Sequence, residues 1–520
     1  MRMLGAAGGG SGTVALMAMS AVVLVSGLVT GKAAAVLIGA PGLGQLAVGQ
    51  GVGLVVAMLA SLSVQDGVVR FTLAASNPAE RAARLAAAGR VSCWILLAGT
   101  VVVAAIVVVA RAPLSQLLFR DDRGWMLVGS VAAGLLYAWA SALLALATAS
   151  GQVRLFALGS AAGAASTPVV SVIGFGWFGV HSVAAVMVVS QGGSVLAAAW
   201  AAVRLRPRSD RGDRRSGRLE LRPQPGDRTV ARAVLAFGVP QMLFQLTGLS
   251  LLVVMPLLVQ DELGQGGTGL FRAAAALTAA VGVVMGSVIS YGEFPRLAAL
   301  SADGTALAAA ANRTVRLVSA GTAALVVAVA LTAPLLLVLL YSSEFRAAAT
   351  LLWWLLAAEA LRLVSLVLTA AVGAVRGSGV RLAAGAVSLA VSGGVAVVLV
   401  REHGLVGAGI SGALGQACGL VVAAGLTWRL TALRPQWATS ATFVATVAMV
   451  AGVLVLQATG GLLVAAPAAL LAVAAVSAFV TPDIQRRLRM RPTAPLDATE
   501  PPDVADAPAA AGLALEVASR

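Results

Sequence analysis

The stretch GLGQLAVGQGVGLVVAMLASLSVQDGVVR, from Gly42 to Arg70, decides the fold of this chain. It is apolar and rich in glycine over roughly twenty residues, the length that a helix needs to cross the hydrocarbon core of a bilayer. A stretch of the same kind, GTGLFRAAAALTAAVGVVMGSVISYGEFPR, begins at Gly267. In each of them an acidic residue and then an arginine follow the apolar part. The two stretches therefore predict a membrane helix that occurs twice.

Apolar stretches of this length fill most of the chain. Hydrophobic residues make up 59% of the sequence and the mean hydropathy is +0.94, well above the range of a soluble domain. We count about fourteen such stretches between positions 12 and 482. In lipid each span must satisfy its own backbone hydrogen bonds, so the spans must be helices. The sequence predicts an all-α integral membrane protein with about 14 transmembrane helices.

The basic residues predict the orientation of these helices. With the N-terminus placed in the cytoplasm, most of the 36 basic residues fall in cytoplasmic segments. Only six fall in the outer loops: Arg111, Arg120, Arg123, Arg272, Arg346 and Arg401. We therefore expect a multi-pass protein of the cytoplasmic membrane with both termini in the cytoplasm. The net charge of +15 then reflects topology and contact with the lipid bilayer, and no nucleic acid is expected as a partner.

An internal repeat at an offset of 225 divides the chain. Gly44 matches Gly269, and the segment Gly179–Gln191 matches Gly404–Gln416. We predict five regions: an N-lobe of helices 1–6 (1–203), a basic cytoplasmic linker (204–232), a C-lobe of helices 7–12 (233–430), helices 13–14 (431–482) and a disordered cytoplasmic tail (483–520). Six helices is an even number, so the two pseudo-symmetric lobes run parallel, enclose a cleft and can rock against each other.

Charged residues inside spans are the candidate site, because burying a charge in a membrane is costly. Lys32, the sole lysine of the chain, lies in the outer half of the first helix. Glu359 and Arg362 lie three residues apart on one face of the tenth helix and can pair. Arg272 begins the eighth helix. We predict a cationic cleft in which Lys32, Arg272 and Arg362 bind an anionic substrate, with Glu359 as the counter-ion of Arg362. Snorkelling, an interfacial anchor and a structural ion pair are the competing interpretations of these residues.

Further polar residues mark the ends and the walls of the cleft. Asp66 with Arg70, and Glu293 with Arg296, follow the second and eighth helices and are interpreted as ion pairs that close the inner gate. Tyr137 and Trp139 are candidate lining residues of the cleft. Glutamines in or near the helices can bind sugar hydroxyls or neighbouring helices: Gln45, Gln50, Gln191, Gln241, Gln245 and Gln416.

The sequence gives little support to catalysis. It has two cysteines, two histidines and none of the common catalytic, zinc-binding or nucleotide-binding motifs. We expect a transporter and not an enzyme, without a cofactor or a metal site.

The opening LIGAPGLGQLAVGQ, the segment Gly67–Arg70 and LLYSSEFRAAATLLWWLL from Leu339 resemble the polysaccharide flippases of the multidrug/oligosaccharidyl-lipid/polysaccharide (MOP) exporter superfamily. Lipid II flippases of that superfamily carry an arginine late in the first helix, at the place that the resemblance gives to Lys32. The resemblance implies that the protein flips a polyprenyl-diphosphate-linked oligosaccharide from the inner to the outer leaflet, for surface polysaccharide biosynthesis. A polysaccharide polymerase and glycosyltransferases are the implied protein partners.

Other functions remain open at this stage. They are a MATE-like ion-coupled exporter of drugs or metabolites, a lipid II flippase, a membrane-embedded enzyme of glycan assembly and a structural protein.

The cationic-cleft hypothesis predicts that Lys32→Ala and Arg362→Ala each reduce the export of a surface polysaccharide, because each removes a positive charge from the cleft. Glycan on the cell surface is the measurement, with the amount of protein in the membrane as the control. Normal glycan display by both variants would contradict the hypothesis.

Overall fold

The computed structural model describes residues 9–430, except for 74, 76, 121–123, 205–223, 225, 249–251, 294–296, 298–299, 301–303 and 377–378. The described residues are helical and contain no strand, which confirms the all-helical membrane fold. The predicted helices 13–14 (431–482), the tail (483–520) and most of the linker (204–232) lie outside the described residues. We call residues 9–204 the first half and residues 227–430 the second half.

The structure describes twelve α-helices in the two halves. In chain order they are α1 Gly9–Ser61, α2 Val64–Leu73, α3 Pro78–Val109, α4 Arg111–Phe119, α5 Trp125–Ala149, α6 Val153–Phe178, α7 Val183–Arg204, α8 Asp227–Thr247, α9 Val254–Ser287, α10 Gly304–Leu340, α11 Ala349–Arg376 and α12 Gly379–Leu430. Short 3₁₀ turns at Gly179–Ser182 and Ser343–Ala348 join α6 to α7 and α10 to α11, and a π-helical turn, Val288–Glu293, follows α9.

Nine segments of the described chain are long and apolar enough to cross a membrane. The three longest are Ala15–Ser61, Val153–Arg204 and Gly379–Leu430, and each contains one glycine that interrupts the helix. A straight helix of 53 residues, the length of α1, would extend about 80 Å, more than twice the thickness of the hydrocarbon core. Splitting the three segments at their glycines gives twelve candidate crossings in the described residues.

Glycines with positive φ interrupt the helices at positions that repeat at the predicted offset of 225. Gly39 has φ 68° and ψ −174°, and Gly264 has φ 71° and ψ −171°. Gly179 has φ 58° and ψ −144°, and Gly404 has φ 57° and ψ −134°. Residues with a side chain rarely adopt these dihedral angles, so glycine is required at all four positions. The repeat seen in the sequence is thus a repeat of backbone conformation.

The two halves meet where α1 and α9 approach within backbone contact. A Cβ atom on Gly269 would collide with the carbonyl of Ala40, and one on Gly44 would collide with the carbonyl of Gln265. Small residues permit such close packing in membranes, where lipid gives no hydrophobic drive between helices. Beside this contact, the amide of Gln45 donates to Oε1 of Gln265 at 3.0 Å. We call this set of contacts the α1–α9 contact.

The largest buried cluster surrounds the α1–α9 contact and takes residues from both halves. Leu43 and Val183 of the first half share it with Phe271 and Leu351 of the second half. These four side chains are at most 2% exposed. The cluster fixes the halves relative to each other near the four glycines, at the end of the bundle that we call the kink end. The opposite end carries Arg70, Arg84, Arg154 and Arg381, and we call it the arginine-rich end.

Replacement of Gly269 by alanine tests the α1–α9 contact. The new methyl group would force the backbones apart at Ala40, so we expect a destabilisation of about 1–3 kcal/mol and a lower Tm of the purified protein in detergent. Gly286→Ala on the same helix is the matched control, because a Cβ atom at that position would have no neighbour within 4 Å. Equal Tm values for the two variants would contradict a tight contact at Gly269.

Candidate functional site

A cavity of about 900 Å³ lies between the halves near the arginine-rich end. Its walls come from α1, α2, α5, α6 and α7 of the first half and from α8 and Arg381 of the second half. Hydroxyl and amide side chains dominate its polar lining: Gln65, Tyr137, Ser141, Thr148, Ser160, Thr167, Gln191, Ser194, Gln241 and Gln245. We call it the large cavity. So many hydrogen-bonding groups at membrane depth indicate a polar ligand and not a hydrocarbon one.

Three charged side chains of the described residues line the large cavity, and each contacts α8. The carboxylate of Asp66 accepts a hydrogen bond from the Gln245 amide at 2.9 Å. The guanidinium of Arg70 lies over the ring of Phe237, with Cζ 4.5 Å from the ring centroid. That of Arg381 lies over the ring of Phe244 at 5.1 Å. Both arginines are therefore oriented by cation–π contacts with one helix.

Neither guanidinium has a carboxylate partner among the described contacts of Arg70 and Arg381. Nε of Arg381 is buried and makes no hydrogen bond to a described residue. A positive charge taken out of water without a counter-ion is unfavourable. The cavity thus offers two oriented guanidinium groups to an anion, one from each half of the protein.

A second cavity of about 270 Å³ lies between α1, α5, α6, α7 and the middle of α9. We call it the small cavity. Among its described lining residues, Arg272 is the one that carries a charge, and its guanidinium donates to Oε1 of Gln50 at 2.6 Å. Tyr137, Thr167 and Gln191 line both cavities. The two cavities are therefore neighbours along one polar path that runs between the halves.

The halves also touch at the arginine-rich end, through α2 and α8. A Cβ atom on Gly67 would collide with the carbonyl of Val234, and one on Gly238 would lie 2.7 Å from the carbonyl of Leu62. Leu62 and Ser63 adopt positive φ values of 48° and 50°, a costly backbone conformation for residues with side chains. The strained turn between α1 and α2 therefore lies directly at this contact.

At the kink end an ion pair joins the two halves. Arg120, which follows α4, pairs with Asp261 of α9. The next residue, Glu262, pairs instead with Arg401 of α12 at 2.7 Å, within the second half. Both pairs are largely exposed, so each contributes little to stability in bulk water. The neighbouring carboxylates Asp261 and Glu262 of α9 thus pair with arginines of different halves, Arg120 of the first half and Arg401 of the second.

The structure distributes the predicted cleft residues differently from the sequence hypothesis. Arg272 lines the small cavity. Lys32 lines neither described cavity, and its ammonium donates to the carbonyl of Leu339 at 2.9 Å. Arg362 and Glu359 also lie outside both cavities and form a two-point pair at 2.7 and 2.5 Å. Glu359 is 5% exposed and faces Gly282 of α9. A substrate role of Lys32 and Arg362 stays a prediction, to which these contacts add no support.

The predicted inner-gate residues make contacts of another kind. Asp66 and Arg70 both contact α8 of the second half, and the described residues show no ion pair between them. Glu293 is buried and accepts a hydrogen bond from Thr314 at 2.8 Å, within the second half. Arg296 lies outside the described residues. The contacts that Asp66 and Arg70 make with α8 are therefore a hydrogen bond from the Gln245 amide and a cation–π contact with the Phe237 ring.

Sequence reasoning missed Arg381 as a site residue. Its position between two spans groups it with the arginines that set the topology. The available signal was the position of Arg381, which lies within α12, two residues after the helix begins. The neutral residues were more informative, because Gln50, Gln191, Gln241, Gln245 and Tyr137 all line the cavities.

Comparisons with known proteins agree with this architecture. The family model described as "Polysaccharide biosynthesis protein" matches residues 51–350. No match was found among the curated proteins. Among solved structures, the lipid II flippase MurJ in an inward closed conformation superposes with a TM-score of 0.66 at 10% identity, over 91% of this chain and 99% of that chain.

Multidrug resistance MATE family transporters of the MOP superfamily are also similar. An inward-facing one has a TM-score of 0.57 at 16% identity, over 80% of this chain and 94% of that chain. An outward-facing one has a TM-score of 0.51 at 17% identity, over 82% and 97%. At such identities the likeness shows the fold alone.

The fold and the cavities define a multi-pass membrane protein built like the transporters of the MOP superfamily. Because the family model covers more than half of the chain, the protein belongs to the polysaccharide biosynthesis protein family.

Loss of the Arg120–Asp261 pair should favour opening at the kink end. The predicted orientation places the kink end on the outer side of the membrane. Ala47 lines the small cavity. In a background with Cys93→Ala, Cys418→Ala and Ala47→Cys, we expect Asp261→Asn to increase labelling of position 47 by an impermeant maleimide added to intact cells. An exposed pair contributes up to about 1 kcal/mol, so the increase should be at most about fivefold.

Glu262→Gln is the matched control for this experiment, because it removes a pair within the second half and should leave labelling unchanged. Equal labelling of both variants would show that the pair between the halves does not control access.

Proposed function

We propose that the protein moves a polyprenyl-diphosphate-linked oligosaccharide from the inner to the outer leaflet of the cytoplasmic membrane, for surface polysaccharide biosynthesis. The single observation that carries the proposal is the polar path between the halves. Its charged lining consists of three arginines and one aspartate among the described residues, so it favours a polar, anionic headgroup. Membership in the polysaccharide biosynthesis protein family supports a glycan as the cargo.

The arginines suit a diphosphate. A guanidinium presents several N–H donors in one plane and can bind two phosphate oxygens at once. Arg70 and Arg381 are held by Phe237 and Phe244, which lie seven residues apart on α8. Arg272, further along the path, is held by Gln50. A diphosphate can thus exchange one arginine contact for the next while it moves between the leaflets.

The size of the path suits a glycan. The large cavity of about 900 Å³ lies within the volume range of ordinary ligand sites. Its amides and hydroxyls can replace the water that sugar hydroxyls lose on leaving the aqueous phase. The lipid tail stays in the bilayer during the movement. Rocking of the two halves about the α1–α9 contact then changes the leaflet that the path faces.

A drug or metabolite exporter on the same scaffold is the second candidate, and the MATE-like fold favours it. Coupling to a proton or sodium ion would need an acid on the path, and Asp66 is that acid among the described lining residues. Under this alternative Asp66→Asn abolishes resistance to cationic compounds. Under our proposal it leaves such resistance unaffected.

The two arginines held by α8 are the residues to test. In cells that depend on this protein for surface polysaccharide, we expect Arg70→Gln and Arg381→Gln each to reduce export about tenfold, the effect of losing a hydrogen bond to a charged group. Export is measured as surface glycan together with lipid-linked oligosaccharide that accumulates in the membrane.

Arg84→Gln is the matched control, because Arg84 lies at the same end of the bundle but pairs with Glu80 and lines neither cavity. Lys32→Ala is measured in the same assay and shows whether the lysine of the first helix contributes to export as the cavity arginines do. If Arg70→Gln and Arg381→Gln export glycan normally at normal protein levels, the diphosphate role of these arginines is wrong.

A further inference from the structure

Three polar side chains of the small cavity have hydrogen-bonding atoms that no described residue satisfies. They are the hydroxyls of Thr30 and Ser190 and the amide oxygen of Gln191. Thr30 is 7% exposed and Ser190 is 3% exposed, so neither hydroxyl lies at the protein surface. Buried polar groups in folded proteins are nearly always paired. Three unsatisfied groups on one small cavity therefore indicate a ligand.

The hydroxyls of Thr30 and Ser190 do not bond to their own helices. Many other serine hydroxyls of this protein donate to a carbonyl three or four residues earlier. Neighbouring wall residues follow that rule: Ser141 donates to Tyr137 at 2.8 Å and Ser171 donates to Thr167 at 2.7 Å. Thr30 and Ser190 make no such bond. Their hydroxyls remain available to a group inside the cavity.

We propose that Thr30, Ser190 and Gln191 form a subsite for one sugar ring of the translocated glycan. This inference rests on the proposed function. It specifies which part of the headgroup binds in the small cavity. A sugar hydroxyl donates and accepts hydrogen bonds, so it matches both the hydroxyls and the amide oxygen. An ionised diphosphate has no donor and cannot satisfy the amide oxygen of Gln191. The chemistry therefore selects the sugar and not the diphosphate.

The surroundings of the subsite fit one ring. The small cavity is less than a third of the size of the large one, about 270 Å³ against 900 Å³. Tyr137 stands between the two cavities and offers an apolar ring face. Arg272 and Gln50 contribute a donor-rich wall. While the diphosphate lies at Arg70 and Arg381, one sugar ring occupies the small cavity and the remaining glycan lies in the large cavity.

Two of the three subsite residues break the internal repeat of the protein, whereas Gln191 follows it and corresponds to Gln416. At the offset of 225, Thr30 corresponds to Met255 and Ser190 corresponds to Gly415. Met255 is fully buried in the apolar core, and Gly415 packs against the backbone of Ser388. The scaffold thus tolerates residues without a hydroxyl at both positions of the second half. The hydroxyls at Thr30 and Ser190 are therefore not a requirement of the repeated fold.

A binding experiment with two probes tests the subsite. The purified full-length protein in nanodiscs is titrated with lipid-linked oligosaccharide extracted from cells that lack the protein, and with undecaprenyl diphosphate without sugar. The wild type should bind the first probe more tightly. We expect Thr30→Val, Ser190→Ala and Gln191→Leu each to weaken binding of the oligosaccharide about three- to tenfold, the effect of one lost hydrogen bond, with undecaprenyl diphosphate unaffected.

Thr322→Val and Ser319→Ala are matched controls. Their hydroxyls are also buried and unsatisfied by described residues, but they lie in α10 and line neither cavity. They should bind both probes normally, and Thr30→Ser should restore binding of the oligosaccharide.

Each other outcome is decisive. Equal weakening of both probes, or no weakening of either, overturns the sugar subsite while the proposed flippase function stands. A wild type that binds both probes equally overturns the subsite and counts against a glycan cargo as well.

Discussion

The contact between α1 and α9 is the constraint on which the rest of the structure depends. Two helix backbones can touch at Ala40 and Gly269 only because neither Gly269 nor Gly44 carries a side chain. In lipid this close packing, together with hydrogen bonds such as that between Gln45 and Gln265, replaces the hydrophobic effect as the attraction between helices. The same contact brings Gln50 against Arg272 and so creates one wall of the small cavity. The position of the polar path is therefore a consequence of glycine placement.

Much of the fold could be predicted because a membrane leaves the chain few alternatives. The length of an apolar stretch determines where a helix crosses the membrane. The need to satisfy every backbone hydrogen bond in lipid excludes other secondary structure. The offset of 225 could also be seen, since Gly179 and Gly404 are needed for a backbone conformation that other residues avoid. Gly39 and Gly264 obey the same rule. Glycine was informative at these positions because the backbone conformation requires it.

The site could be predicted only in part, and the reason is also physical. A transmembrane helix is apolar on its lipid face and on its protein face, so hydropathy does not show which face a charged residue occupies. Lys32 and Arg272 are both isolated charges in spans, yet one binds the carbonyl of Leu339 and the other lines a cavity. Arg381 is indistinguishable from a topological arginine until the fold places it over Phe244. Those placements depend on tertiary packing, which a single sequence does not contain.

The two ends of the path are closed by different chemistry, and this difference bears on how the path opens. At the kink end, the α1–α9 contact and an exposed ion pair join the halves, and none of the residues that form them lines a described cavity. At the arginine-rich end, Asp66 and Arg70 both line the large cavity and contact α8 across the interface. Binding in the cavity and closure of this end therefore compete for the same side chains. A ligand shifts a conformational equilibrium only as far as it binds the two states differently. In this protein two side chains that line the large cavity, Asp66 and Arg70, also hold the arginine-rich end closed.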